Sequence, residues 1–382
     1  MRLLRCVAVV ATVGLAGCSS WNPLVSMGIM SEPANKPTPL AKIDEKVALK
    51  PAWTASVGKA GDFVLAPDVE AGRVYAAAGD GTITVLEEDT GKVVTRAELK
   101  KPISGGVEFA DGHVLVGTFK GEVLSLDPAG KTQWKSQVQG EVIAPPATAK
   151  GVVVVRTADG RIFGLDAADG KRKWVYQRPA PALLLRTAAG VLATGGDVLA
   201  GYPNGKLVAL DVDDGKLTWE VTVAQPRGTT ELERIADVAG RPLLDGGTVC
   251  AAAFQGKVAC FDIQSRNMIW SKDISSAKDL VRDAKNIYVV DDRGAVHALD
   301  KSTGASAWSN DKLLYRRLTS PVVTRALVLV GDGLGYVHAL SPEDGAIVGR
   351  MATDGSAIHA IVPVAGGVLI QTAKGQLSMV RL

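Results

Sequence analysis

The chain has 382 residues, and its 43 Lys and Arg residues nearly balance its 40 Asp and Glu residues. A body this close to neutral offers no basic footprint for nucleic acid, which excludes that class of partner. Gly is abundant at 42 residues, as expected of a chain with many tight turns, and aromatic residues make up only 5%.

Residues 1–17 are predicted to be a signal peptide. The apolar run Val7–Leu15 follows two arginines and is too short to span a bilayer. It ends in Leu15-Ala16-Gly17-Cys18, a pattern that resembles the bacterial lipobox. That resemblance implies that Cys18 becomes the lipidated N-terminus; an ordinary secretory signal with an incidental cysteine is the alternative. Ser19, where an aspartate would signal retention, favours the outer membrane by analogy with such lipoproteins.

Residues 18–49 are expected to form a lipidated N-terminus and a flexible tether. The segment offers little apolar surface to bury, and its prolines interrupt regular structure, at Pro23, Pro33, Pro37 and Pro39. No later segment reaches about 18 consecutive apolar residues, so residues 50–382 are expected to form a soluble body. Acyl chains on Cys18 would therefore supply the attachment to the membrane.

A repeat runs through residues 50–382. Its unit is Gly, four residues, an apolar residue, Asp, three or four residues, Gly-Lys, two residues and Trp, and the best copies are Gly160–Trp174 and Gly205–Trp219. The period is near 40 residues, and short β-branched runs bounded by turn residues recur within it, which is typical of propeller blades. The sequence predicts an all-β, eight-bladed β-propeller with four antiparallel strands per blade. The eight copies begin at Gly81, Gly121, Gly160, Gly205, Gly256, Gly294, Gly335 and Gly375.

The two ends of the repeat region complement each other. The eighth copy ends at Leu382, directly after its third predicted strand, and an unmatched Trp strand occurs at Lys50–Val57. We expect this N-terminal strand to complete the last blade, which would close the ring and remove an exposed sheet edge.

Two cysteines remain in the predicted mature body besides Cys18. Cys250 and Cys260 flank a predicted hairpin turn near Gln255-Gly256, so they could face each other across it. An oxidising compartment permits a disulfide, but two small core residues in adjacent strands would give the same pattern. The sequence leaves both alternatives open.

Two consecutive steps of the repeat are long, with 45 residues from Gly160 to Gly205 and 51 from Gly205 to Gly256. Both insertions fall after a Trp strand, and by propeller symmetry such loops emerge side by side on one face. Exposed apolar groups with a charged rim are typical of partner sites. Thr230 and Glu233 match a capping box, which predicts a short helix. The candidate contact residues are Leu183, Leu185, Arg186, Glu231, Arg234 and Asp237.

An alternative places the same residues in the blade itself. Leu183–Leu185 could be the first strand of blade four, with Leu184 pointing opposite to its neighbours. Arg186 and Asp237 could then form a structural ion pair.

The repeats resemble the tryptophan-docked blades of pyrroloquinoline quinone (PQQ) enzymes. Together with the lipobox, the length and the eight copies, they resemble the BamB family of lipoproteins in the outer-membrane β-barrel assembly (BAM) machine. The segments closest to that family are Pro181–Arg186, Thr230–Asp237 and Leu313–Pro321.

The BamB resemblance implies a non-enzymatic scaffold without cofactor or metal, anchored in the outer membrane and facing the periplasm. It implies binding to the POTRA region of BamA through Leu183, Leu185, Arg186 and Asp237, with other BAM components and unfolded outer-membrane proteins as further partners. A second acidic position of the family is Ala239 here, which puts one salt bridge in doubt.

The enzymatic alternative is a PQQ-dependent dehydrogenase, which needs a Ca2+ cage and usually an adjacent pair of cysteines. Most acids here fall in blade turns, and His297 and His338 share one phase of the repeat, which indicates packing. No phosphate-loop, zinc-protease or nucleophile-elbow pattern occurs in the sequence. A propeller that binds a small ligand in its central channel is a third alternative.

Overall fold

The computed structural model of the protein describes residues 35–179, 181, 183–186, 188, 190–324 and 326–382. These residues form 32 β-strands and no helix, and the strands make eight four-stranded antiparallel sheets. The predicted eight-bladed propeller is confirmed. The predicted signal peptide and Cys18 lie outside the described residues.

Seven blades are continuous in sequence, and each pairs its four strands in chain order. Blades 1 to 4 are β2 (Asp68–Glu70), β3 (Arg73–Ala77), β4 (Thr82–Glu87) and β5 (Val93–Glu98); β6 (Gly105–Ala110), β7 (His113–Gly117), β8 (Glu122–Leu126) and β9 (Thr132–Gln137); β10 (Ala147–Ala149), β11 (Val152–Arg156), β12 (Ile162–Asp166) and β13 (Arg172–Tyr176); and β14 (Leu192–Thr194), β15 (Asp197–Tyr202), β16 (Lys206–Asp211) and β17 (Leu217–Thr222). Blades 5 to 7 are β18 (Leu243–Asp245), β19 (Thr248–Ala252), β20 (Val258–Asp262) and β21 (Met268–Lys272); β22 (Val281–Arg282), β23 (Asn286–Val290), β24 (Val296–Asp300) and β25 (Ser306–Asn310); and β26 (Val322–Val323), β27 (Val328–Gly331), β28 (Tyr336–Leu340) and β29 (Ile347–Ala352).

Blade 8 joins the two ends of the chain. It contains β30 (Ile358–Val364), β31 (Gly367–Thr372), β32 (Gln376–Arg381) and the N-terminal strand β1 (Pro51–Ser56). Strand β1 pairs antiparallel with β32, and Trp53 lies opposite Met379 in the ladder. The predicted closure by the N-terminal strand is confirmed, and it covers the edge that β32 would otherwise expose.

The two middle strands of each blade are buried along most of their length and do not alternate between buried and exposed residues. In β11, for example, the four valines are all buried. Because neighbouring blades cover both faces of the sheet, both sets of side chains enter a core. The outer strands do alternate; in β13 Trp174 is buried between the exposed residues Lys173 and Val175.

The repeated tryptophans connect each blade to the next. In five blades the indole Nε1 donates a hydrogen bond to a carbonyl in the turn before the outer strand of the following blade: Trp53 to Glu88 at 2.8 Å, Trp134 to Ala167 at 2.8 Å, Trp174 to Val212 at 2.9 Å, Trp270 to Lys301 at 2.9 Å and Trp308 to Pro342 at 2.9 Å. The ring also covers a glycine of that turn. At Gly215 a Cβ atom would lie 2.5 Å from the Trp174 ring, so only glycine fits there.

Blade 7 carries Gly349 at the tryptophan position, and the N-terminal segment occupies the space. The backbone N–H groups of Lys46 and Val47 donate to the Val348 carbonyl at 2.8 and 3.0 Å. A Cβ on Gly349 would lie 2.5 Å from the Val47 carbonyl oxygen. Leu49 is buried in the core between blades 7 and 8.

Residues 37–49, which we call the strap, therefore belong to the packed body. Near the start of the strap, Thr38 donates its N–H to the Leu314 carbonyl at 2.9 Å and accepts a bond from Arg316 at 3.0 Å. The sequence assigned this stretch to the flexible tether because it lacks regular structure, whereas the compact unit begins at Pro37. The stretch is ordered by contacts with blades 6, 7 and 8, which local sequence does not reveal.

Cys250 and Cys260 form a disulfide, the first of the two alternatives that the sequence allowed. They lie directly opposite each other on β19 and β20, with their Cα atoms 4.1 Å apart. Both cysteines are also buried, in the core between blades 5 and 6.

The tryptophan contact predicts an energetic coupling between Trp174 and Gly215. Replacing Trp174 with alanine should lower the free energy of unfolding by about 3–5 kcal/mol, the usual cost of truncating a buried tryptophan. Gly215→Ala should also destabilise, because its φ of +70° disfavours a side chain and its Cβ would overlap the indole ring. In the Trp174→Ala background the overlap is gone. The double variant should therefore lose less free energy of unfolding, measured with denaturant, than the sum of the losses in the two single variants.

Gly72→Ala is the matched control for that experiment. Gly72 has a φ of +74°, and a Cβ atom added there would meet no other group within 4 Å, so its variant reports backbone strain alone. Equal losses at Gly72 and Gly215 would contradict the docking role of Trp174.

Candidate partner-binding site

The two long connections predicted from the repeat are present. Residues 177–191 join β13 to β14, and residues 223–242 join β17 to β18. The two loops meet around a surface pocket of about 250 Å3, lined by Pro181, Leu183, Asn204, Pro226, Glu231, Arg234, Ile235 and Asp237. The structure thus brings together four of the six candidate contact residues, and the other two lie two and three residues after Leu183. We call Leu183, Leu185, Arg186, Glu231 and Arg234 the docking surface.

The capping box at Thr230 forms, but no helix follows it. The Thr230 hydroxyl accepts the Glu233 N–H at 3.2 Å, and the Glu233 carboxylate accepts the N–H groups of Thr229 and Thr230 at 2.9 and 3.2 Å. These bonds lower the pKa of Glu233. A single turn results, because the chain leaves at Ile235 to reach the buried Asp237.

The next blade caps the end of this turn. The side-chain amide of Gln255, in the β19–β20 turn, lies 3.0–3.1 Å from the carbonyls of Leu232, Glu233 and Ile235; three acceptors on that side assign the amide nitrogen to it. Phe254 donates its N–H to the Asp237 carbonyl at 2.9 Å. The loop is therefore held from below, while Glu231 and Arg234 remain exposed.

Asp237 ties the two loops together. Its side chain is only 5% exposed, and its carboxylate accepts the backbone N–H of Leu185 at 2.7 Å. Burial raises the pKa of Asp237, although hydrogen bonds from the backbone of Leu185 and Asn204 and the charge of Arg156 oppose that effect. Asp237 therefore acts beneath the docking surface, by fixing the path of the first loop.

Arg186 does not form the ion pair with Asp237 that the sequence suggested as an alternative. Its Nη2 lies 2.6 Å from the Glu141 carboxylate, and its guanidinium carbon lies 5.3 Å from the centre of the Phe119 ring. The Arg186 side chain is 56% exposed. Asp237 instead bonds the backbone one residue earlier, which turns the Arg186 side chain toward blade 2.

The three leucines are in a loop and not in a strand, because the first strand of blade 4 begins only at Leu192. Leu183 is 43% exposed and borders the large pocket. Leu184 and Leu185 are half-buried, and both line a smaller cavity of about 30 Å3. The alternation expected for Leu184 is therefore wrong, since a two-residue period holds only in an extended strand.

Sequence reasoning missed four residues that shape this site: Phe119, Glu141, Arg156 and Asn204. Phe119 carried a readable signal, because it is a large aromatic residue in the turn before Gly121, where the neighbouring copies have Ala158 and Pro203. The other three come from blades or loops distant in sequence, and their contacts have no local pattern. Ala239, at the family's second acidic position, is buried.

Elsewhere, His297 and His338 have hydrogen-bond partners within their own blades. His297 Nε2 lies 3.2 Å from Asp291, and His338 Nε2 lies 2.9 Å from Asp332, so both bond an aspartate in the preceding turn of their own blade. Within the described ranges, no group of three or more His, Cys, Asp or Glu residues is arranged to hold a metal ion. No helix in the described part of the chain is long and apolar enough to cross a membrane.

Comparison with known proteins identifies the family. The family described as outer membrane protein assembly factor BamB matches residues 79–310. A protein of that name from Nitrosomonas eutropha is 40% identical over 384 residues, covering 98% of this chain and 94% of its own.

Solved structures agree with this assignment. BamB from Moraxella catarrhalis has a TM-score of 0.82 at 28% identity, over 87% of this chain and 100% of that one. Quinohemoprotein alcohol dehydrogenase from Comamonas testosteroni has a TM-score of 0.70 at 14% identity, over 87% of this chain and 76% of that one, a likeness of fold alone. The chain belongs to the family of outer membrane protein assembly factor BamB.

Proposed function

We propose that the protein is a non-enzymatic scaffold of outer-membrane protein assembly, and that its docking surface binds the POTRA region of BamA. It is anchored in the outer membrane through lipid on Cys18 and faces the periplasm. Family membership supports the role in assembly. The observation that carries the binding site is the meeting of two inserted loops, which Asp237 joins through the backbone of Leu185.

The docking surface has the composition of a protein interface. Leu183 offers exposed apolar area beside the pocket, and burying such a side chain contributes roughly 1.5–3 kcal/mol. Arg186 offers a planar guanidinium, which pairs well with carboxylates. Glu231 and Arg234 supply charges of both signs at the rim, where they favour one orientation of the partner.

The scaffold works by holding these groups in place before the partner arrives. Asp237, the capping box at Thr230 and the Gln255 amide all order the loops within the free protein. A preordered surface loses less conformational entropy on binding, so more of the contact energy appears as affinity. Other BAM components and unfolded outer-membrane proteins are further partners of the same proposal, for which the remaining surface is available.

Changing the docking surface should weaken binding without unfolding the propeller. We expect Leu183→Ala and Arg186→Ala each to weaken binding to BamA by about tenfold, because each removes an exposed group at the centre of the contact. Binding of the full lipoprotein to detergent-solubilised BamA can be measured together with a melting curve.

Leu217→Ala is the matched control. Leu217 is 47% exposed and lies on outer strand β17 of blade 4, away from the loops. Its variant should bind as the unchanged protein does. Full binding by the Leu183 and Arg186 variants would place the site elsewhere.

Asp237 should affect binding mainly through the loop that it holds, because it is only 5% exposed. Asp237→Ala removes the acceptor for the Leu185 N–H and should weaken BamA binding, whereas Asp237→Asn keeps an acceptor oxygen and should retain most of it. The two variants therefore separate positioning from charge in the same binding assay. Equal losses in both would indicate that the negative charge itself is needed.

The stability difference between the Asp237→Asn variant and the unchanged protein should depend on pH. Because burial raises the pKa of Asp237 above its unfolded value, the native protein loses stability as pH rises through the folded pKa. The amide variant does not titrate, so relative to the unchanged protein it should be more stable at pH 7.5 than at pH 4. A melting series in which this difference has the opposite sign would contradict the buried position of the carboxylate.

A further inference from the structure

A third loop places an aromatic side chain beside the docking surface. Phe119 lies in the turn between β7 and β8 of blade 2, and it is 44% exposed. Its ring centre lies 6.2 Å from that of Phe63, which packs against the core of blades 1 and 2. Phe119 is therefore supported from the side while much of its surface stays open to solvent.

Phe119 also holds Arg186. The guanidinium carbon lies 5.3 Å from the ring centre, within the range of a cation–π contact, and Glu141 fixes Nη2 at 2.6 Å. The side chain of Arg186, from the loop between blades 3 and 4, is thus held by two other connections. These are the blade 2 turn and the loop from blade 2 to blade 3. A long arginine side chain is otherwise flexible, so this arrangement selects one position of the guanidinium before binding.

We propose that Phe119 is a further residue of the docking surface, with two roles. It positions the Arg186 guanidinium for a carboxylate of BamA, and the exposed part of its ring contacts BamA directly. This inference rests on the proposed function. It extends the docking surface from the two inserted loops to blade 2.

The environment of Arg186 supports a carboxylate as the group that its guanidinium receives. Glu141 engages Nη2, and the side chain is 56% exposed, so much of the planar fork faces solvent. Arginine carries five N–H donors and no acceptor, so the open donors suit an acidic group. The ring beneath the guanidinium adds apolar contact area at the edge of the same site.

The test is a double-mutant cycle on binding of the full lipoprotein to detergent-solubilised BamA. Phe119→Ala should weaken binding three- to tenfold, and Phe119→Tyr, which keeps an aromatic face, should stay within twofold of the unchanged protein. In the Arg186→Ala background Phe119→Ala should weaken binding by a smaller factor, because there is no guanidinium left for Phe119 to position. A merely structural side chain would show no such coupling.

Leu334→Ala is the matched control. Leu334 is 42% exposed in the corresponding turn of blade 7, away from the docking surface, and its loss should leave binding unchanged. This inference is overturned if Phe119→Ala binds normally, or if the Phe119→Ala and Arg186→Ala effects simply multiply in the double variant. The proposed function survives either result as long as Leu183→Ala and Arg186→Ala weaken binding. If those two variants bind normally, the proposed function and this inference both fail.

Discussion

The contact between a tryptophan of one blade and the turn of the next blade supports the rest of the structure. Five indole rings each cover a turn of the following blade and donate a hydrogen bond to its backbone. The same interaction therefore joins neighbouring blades at five positions around the ring. A linear stack of such units would still end in two open blades. The pairing of β1 with β32 completes blade 8, and Trp53 of that blade contacts blade 1. The two ends are thereby joined, and each blade has a neighbour on both sides.

The repeat departs from its pattern where closure demands it. Blade 8 lacks a turn before its outer strand, because β32 and β1 come from opposite ends of the chain, so a tryptophan from blade 7 would have no turn to cover. Gly349 stands at that position, and the strap passes over it with Val47 and Leu49. The segment that precedes the closing strand thereby fills the space that a tryptophan fills elsewhere. The glycine at position 349 leaves the space through which the strap passes, so the two departures from the repeat belong together.

The sequence predicted the fold because a repeat reports the same structure eight times, and it predicted the meeting of the inserted loops from their spacing alone. It did not predict which side chains pair. Arg186 bonds Glu141, 45 residues away, and Asp237 bonds the Leu185 backbone, 52 residues away. The capping box at Thr230 was readable, but the absence of a helix after it was not, since the chain turns away after one turn to bury Asp237. The strap has the local sequence of a flexible segment, and its order, which comes from contacts with blades 6, 7 and 8, could not be predicted from it.

Closure makes the ring one cooperative body that holds the loops of blades 2 to 5 in register. Amide hydrogen exchange on a variant with Thr54→Pro and Ala55→Pro tests it most directly. Alternate residues of an antiparallel strand donate to the partner strand, so one of these prolines removes a bond to β32. We expect protection to fall together in all eight blades, including blades 3 and 4 across the ring. Loss confined to blades 8 and 1 would contradict it.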